Sequence, residues 1–189
     1  GGIQQTLESL DSSKSTVVAN AVWSLGSSFG KDIGDTAIRA LVQRLSDERA
    51  VGVHQFMGPP PPTVGHYASD ALVQIGTEQV VTPVCEFLVT SDSEQGRVLA
   101  IETLERLGHV ASASVSVLAT CTQDESERIR FRAIAAIASV SPDDAATVRL
   151  LRRALHDKAG NVKYTAVYHL GNLGPKAAGA VPELIPLLD

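Results

Sequence analysis

The chain has 189 residues, 44% of them hydrophobic and 4% aromatic, with a formal net charge of -5. That length holds one domain or one repeat array with a substantial core, and the scarcity of aromatics means the core is packed with Ala, Val, Leu and Ile. An acidic balance argues against nucleic acid as the main partner, because neutralising phosphates takes a basic surface.

Helical periodicity runs along the chain from its start. A short helix over residues 3–10 is followed by a longer one over 16–25, then by pairs at 35–45 and 64–75, 78–89 and 96–107, and 111–121 and 127–140. The last pair covers 143–155 and 161–173, and an unpaired helix over 177–188 closes the chain. In the helix over 161–173, Val162, Ala166, Leu170 and Leu173 form one apolar stripe; Gly174 ends it with a left-handed residue and Pro175 cannot continue it. The helix after it carries Ala177, Val181, Leu184, Ile185 and Leu188 on one face. Cys85 and Cys121 give neither a disulfide framework nor metal-ligand spacing, and both read as buried thiols. No apolar run nears the roughly 20 residues of a membrane span, and no secretory leader is visible. The Gly1-Gly2 start, without a Met, reads as a cut edge or a cloning remnant.

Three markers repeat along this series. Gly26, Gly76, Gly108, Ser141 and Gly174 close the longer helices at steps of 50, 32, 33 and 33 residues. A small residue near the helix centre recurs at Ala68, Ala100, Ala133 and Ala166, where a larger side chain would overpack a close helix approach. An aspartate ends each shorter helix, at Asp11, Asp47, Asp92, Asp124, Asp157 and Asp189. A helix pair cannot bury its apolar faces alone, so a period of about 33 residues points to an all-α stack of pairs. The ends lack polar capping repeats, which leads us to expect a piece of a longer array or ends that associate with another copy.

The motif over Val162-Lys163, Ala166 and Leu170-Gly171-Asn172-Leu173-Gly174-Pro175, followed by Ala180-Val181-Pro182-Glu183-Leu184-Ile185, resembles the HEAT repeat. It is most similar to the bacterial HEAT-like repeats of the phycobilisome lyase class. Ile129-Arg130 with Ala133 and Ile137, and Arg97 with Ala100, Leu104, Leu107 and Gly108, repeat it less completely. The resemblance implies a right-handed α-solenoid, a superhelix of about five antiparallel pairs over residues 1–189, whose second helices line the concave face. It also implies a ladder of turn aspartates and second-helix bases, matched by Asp92/Arg97, Asp124/Arg130 and Asp157/Lys163; the second repeat departs, with Gly65 at the basic position. The resemblance is specific for fold and poor for function.

Second-helix positions off the core stripe are expected to line the groove. They are His66, Tyr67, Asp70 and Gln74 in one rung, Val98, Glu102 and Arg106 in the next, then Phe131, Arg132 and Ser139, then Tyr164, Tyr168, His169 and Asn172. Aromatic and Arg side chains on one wall suit recognition, since such anchors dominate interface energy; the plainer reading is that Phe131 and Tyr164 fill gaps between helices. The second candidate is the insertion at about 48–63, which carries Phe56, Met57 and Pro59, Pro60, Pro61 and Pro62. Four prolines hold an extended, stiff polyproline II segment. It reads either as a flap at the groove rim or as a surface loop resting on its own repeat, and less readily as a proline-rich ligand.

His66 and Asp70, one turn apart with His54 near in sequence, could offer ligands to a cation, but a His and an Asp at that spacing read far more readily as a solvated pair. The histidines precede Gln55, Tyr67, Val110, Asp157 and Leu170, so the paired His-Glu dipeptides of the iron-binding HEAT-repeat hydroxylases are missing. No catalytic motif stands out, and neither a metal nor a cofactor is expected. The leading expectation is a non-enzymatic scaffold for a protein or peptide partner. The alternatives are a bilin lyase-like enzyme or chaperone, and a HEAT-like DNA glycosylase, whose basic groove Arg106 and Arg132 against Asp70 and Glu102 do not supply.

Overall fold

Helices form where the 3.6-residue apolar stripe finds a partner to bury it. The computed structural model describes residues 2–28, 33–52 and 60–187. Within them the chain folds into α1 (Ile3–Ser9), α2 (Ser15–Ser28), α3 (Asp35–Gln43), α4 (Val64–Ile75), α5 (Val81–Thr90) and α6 (Glu94–Leu107). There follow α7 (Val115–Cys121), α8 (Glu127–Val140), α9 (Ala145–Ala154), α10 (Gly160–Leu173) and α11 (Val181–Leu184). The fold is all-α, an α-solenoid of paired helices. The one strand-like feature among the described residues is an isolated antiparallel bridge between Ala50 and Thr63. The chain divides into two compact units, residues 1–103 and 104–189.

In the first unit, Val18, Val22 and Leu25 of α2, Ile38 and Leu41 of α3, and Ala68, Leu72 and Ile75 of α4 are buried. Val84 and Leu88 of α5 join Leu99 and Ala100 of α6 in its interior. Gly26 does not end its helix as expected. It lies inside α2, and a Cβ there would sit 2.8 Å from Cα and Cβ of Ala71, so the glycine is required by close packing against α4. Gly65 is the same kind of site, since an added Cβ would stand 2.6 Å from the Leu45 carbonyl oxygen. A buried hydroxyl pair, Ser69 and Thr103 at 2.8 Å, satisfies both side chains inside this unit.

The second unit packs Ile134, Leu151, Leu155, Val162, Ala166 and Leu170 into one cluster. The four small residues behave as their spacing requires: Ala68, Ala100, Ala133 and Ala166 are all fully buried. Gly76, Gly108 and Gly174 end their helices with φ of 62°, 56° and 55°. Gly174 combines this with ψ of -129°, which is positive φ without the left-handed helical turn.

The end of the chain departs from expectation. In place of one helix over 177–188 there is a 3-10 segment Gly174–Ala180, the single turn α11, and a second 3-10 segment Ile185–Leu187. Pro182 and Pro186 have no N–H to give an α-helical ladder, and the changed period rotates the apolar face. Ala177 and Ala180 are buried, whereas Val181 and Ile185 are exposed; Leu188 lies outside the described residues. Cys121 is buried, but Cys85 is only half-buried, because it sits at the margin of the α5 stripe. Among the described residues no helix is long and apolar enough to cross a membrane.

Candidate recognition surface

The turns between the two helices of each pair show why an aspartate recurs there. Asp47 Oδ1 accepts from the Arg49 N–H at 3.1 Å, Asp124 Oδ1 from the Ser126 N–H at 2.9 Å, and Asp157 Oδ1 from the Ala159 N–H at 2.8 Å. Each is a side chain closing a turn two residues on, work that Asp and Ser do well. In the first and third turns the acceptor is a neighbouring serine: Ser12 Oγ takes the Lys14 N–H and Ser91 Oγ the Ser93 N–H, both at 3.2 Å.

The charged ladder is wired between turns. Arg130 donates through Nε and Nη2 to the two carboxylate oxygens of Asp157, at 2.8 and 2.9 Å. Its Nη1 donates to the carbonyls of Asp124 and Glu125 in its own turn, at 2.9 and 3.0 Å. One buried guanidinium thus ties consecutive turns and holds the Asp157 carboxyl below the usual carboxylate range. Arg130 takes both Asp157 oxygens, and among the described residues no ion pair of Lys163 with Asp157 is found.

In the first unit the same work falls to Arg49, at the start of the insertion. Its Nε and Nη2 bind Asp47 at 2.9 and 2.5 Å, and its Nη1 reaches the Ser12 and Ser13 carbonyls at 2.9 and 3.1 Å. Sequence reading missed this residue; the available signal was a basic side chain two positions after a turn aspartate. The arms of the insertion are pinned beside it. Val51 N–H donates to the Pro62 carbonyl, Val64 N–H to the Arg49 carbonyl, and Ser15 Oγ to the Ala50 carbonyl. Pro60 and Pro62 are exposed and Pro61 half-buried, while Phe56, Met57 and Pro59, with His54, lie outside the described residues.

The expected groove positions fare unevenly. His66 is exposed, and its Nδ1 accepts the Thr63 N–H at 3.1 Å with Thr63 Oγ1 2.7 Å away, so the ring caps α4. Asp70, Gln74 and Arg106 are exposed; Tyr67 and Glu102 are half-buried. Val98 is fully buried, which corrects its place in a groove rung: it belongs to the core side of α6. Phe131 is half-buried against the second unit's core, and Arg132 lies over its ring at 5.4 Å from the centroid. Ser139 is half-buried. On α10, Tyr164 is 72% and Tyr168 56% exposed, and Asn172 is exposed. His169 is half-buried and meets the Tyr168 ring edge-on at 5.2 Å; burial pushes its pKa below the ordinary imidazole value. The exposed Trp23 of α2 drew no attention in the sequence, since nothing in its local pattern separates it from a core tryptophan. Among the described residues no three His, Cys, Asp or Glu side chains gather as a metal site.

Paired helices, a small-residue seam and turn-to-turn guanidinium bridges define an α-solenoid repeat protein. The model of the family described as HEAT repeats matches residues 81–170 and 115–189, together more than half the chain, and the chain belongs to that family. No curated protein matches it. Among solved structures it is similar to a designed armadillo repeat protein in complex with the peptide (KR)4, with 20% identity and a TM-score of 0.55 over 99% of this chain and 92% of that one. Computationally designed armadillo repeat proteins for modular peptide recognition give 21% identity and a TM-score of 0.51, over 98% and 92%. Importin beta gives 13% and 0.59, over 92% of this chain and 25% of that one. At these identities the likeness is one of fold.

Proposed function

We propose that the chain is a non-enzymatic scaffold holding a protein or peptide partner on the wall formed by its second helices. The observation that carries this is the pair of tyrosines on α10: Tyr164 and Tyr168 stand one turn apart with most of their surface in water. Large aromatics left in solvent at helical spacing are the kind of anchor that an interface desolvates. Arg132 over Phe131 and the exposed Asn172 supply polar contacts beside them. The solved structures of similar fold whose descriptions name peptides lend support, with no residue carried over from them. Photo-crosslinker placed at Tyr168 is expected to capture a partner that the same label at Thr82 does not. Tyr164→Ala with Tyr168→Ala should weaken that partner about tenfold or more with the circular dichroism unchanged. Undiminished binding by the double variant would reject the reading.

A further inference from the structure

The groove between α7 and α9 in the second unit is built differently from the wall described above. It has a volume of about 640 Å³, and Ser112, Ser116 and Ala119 on one side face Ala146 and Leu150 on the other. Small side chains on both helices leave a slot where larger ones would have met and closed it. Arg149 and Arg153 line the same slot, one helical turn apart, and no carboxylate does. Both arginines are exposed; Arg153 donates to the neutral amide of Gln123 at 2.8 Å. The third arginine of α9, Arg152, is held by both carboxylate oxygens of Glu183, at 2.8 and 2.6 Å, and so brings no free charge. Among the described residues no ion pair to a carboxylate is found for Arg149 or Arg153, although the protein carries a net charge of -5. An apolar floor with two guanidinium groups one turn apart, neither of them in an ion pair, is complementary to one ligand chemistry.

We infer that this groove docks an acidic amphipathic segment of a protein partner, seating one apolar side chain on Leu150 and presenting two carboxylates, one helical turn apart, to Arg149 and Arg153. Helical spacing matches donor to acceptor because both sides then repeat at about 6 Å. Charge-assisted contacts at such a rim set specificity and salt dependence more than raw affinity. The site is separate from the tyrosine wall and stands or falls without it.

The probe is a fluorescein-labelled 14-residue helical peptide bearing Leu beside Glu residues spaced at i and i+4, against a twin with those Glu replaced by Gln. Anisotropy titration of the full chain should show the acidic peptide binding at least tenfold more tightly than its twin, with the advantage shrinking severalfold from 50 to 300 mM salt. Arg149→Glu with Arg153→Glu should abolish that advantage. Ala119→Trp, which fills the slot and leaves both charges, should weaken the acidic peptide about tenfold or more. Tyr164→Ala with Tyr168→Ala should leave it unchanged, which separates this site from the reading above. Equal binding of the two peptides, no binding of either, or binding indifferent to both groove variants would overturn the proposal. So would displacement of the peptide by laurate at far lower concentration, which would mark a site for a small amphiphilic anion.

Discussion

Arg130 and Arg49 perform one task from unrelated sequence positions. Each guanidinium spans two consecutive turns, taking two backbone carbonyls from one and the carboxylate from the next. Arg130 sits on α8, where the repeat motif calls for a base. The matching position in the first pair is Val18, the fourth residue of α2 as Arg130 is the fourth of α8, and it is apolar and fully buried. Arg49 reaches the site instead from the insertion that follows its own aspartate. What the fold requires is a fork of donors between adjacent turns, and the chain can supply it from either side. The insertion is therefore part of the ladder at its root, whatever its tip does.

The two bridges differ in burial, and that difference ranks the effects expected on breaking them. The Arg130 and Asp157 side chains are 5% and 12% exposed, whereas those of Arg49 and Asp47 are 39% and 11% exposed. Arg130→Ala leaves a buried carboxylate and two carbonyls without their donor, so chemical denaturation should show a loss of about 3–5 kcal/mol. Arg49→Ala opens a site that water can enter and should cost about 1–2 kcal/mol. Equal losses would mean that burial is not what separates the two bridges.

Acid is expected to act on both bridges. The arginines hold Asp157 and Asp47 below the ordinary carboxylate value. Their stabilisation is complete above that value and is lost as pH falls through it toward the depressed folded values. His169 adds an earlier step: burial lowers its pKa from 6.5, so as pH drops below 6.5 the unfolded chain takes a proton that the folded chain resists, and stability falls. Urea midpoints followed from pH 8 to pH 2 should therefore decline in two stages. His169→Phe should remove the first, and Arg130→Ala should flatten part of the second.

The smallest expected effect is the sharpest test of equivalence. Supplying the base from the start of α2, by Ser15→Arg in the Arg49→Ala background, should recover about 1 kcal/mol of the loss. The Ser15 hydroxyl already touches the Ala50 carbonyl at 2.7 Å, so the position lies at the site. No recovery would show that the two routes are not interchangeable.

Much of the architecture was legible before any coordinate. The α4 and α8 boundaries, the buried small residues at 68, 100, 133 and 166, and the glycine ends at 76 and 108 all follow from local rules: a 3.6-residue stripe, a steric limit and a positive φ. Gly26 was misread as a helix stop because a glycine needed for close packing looks the same in sequence as one needed for a turn. The candidate wall was legible as a list of positions and poorly as surfaces. Val98 and Phe131 face or border the core, and His66 is occupied in capping α4.

Sequence alone determined that this chain is a stack of helix pairs with a 33-residue period, because periodicity and turn chemistry are properties of neighbouring residues. Tertiary structure alone decided which side chains the stack leaves in water and which arginine reaches which aspartate. It also decided that α7 and α9 keep a basic slot between them. Each of these depends on how far apart two helices settle, a distance set by the summed packing of residues remote from one another in the chain.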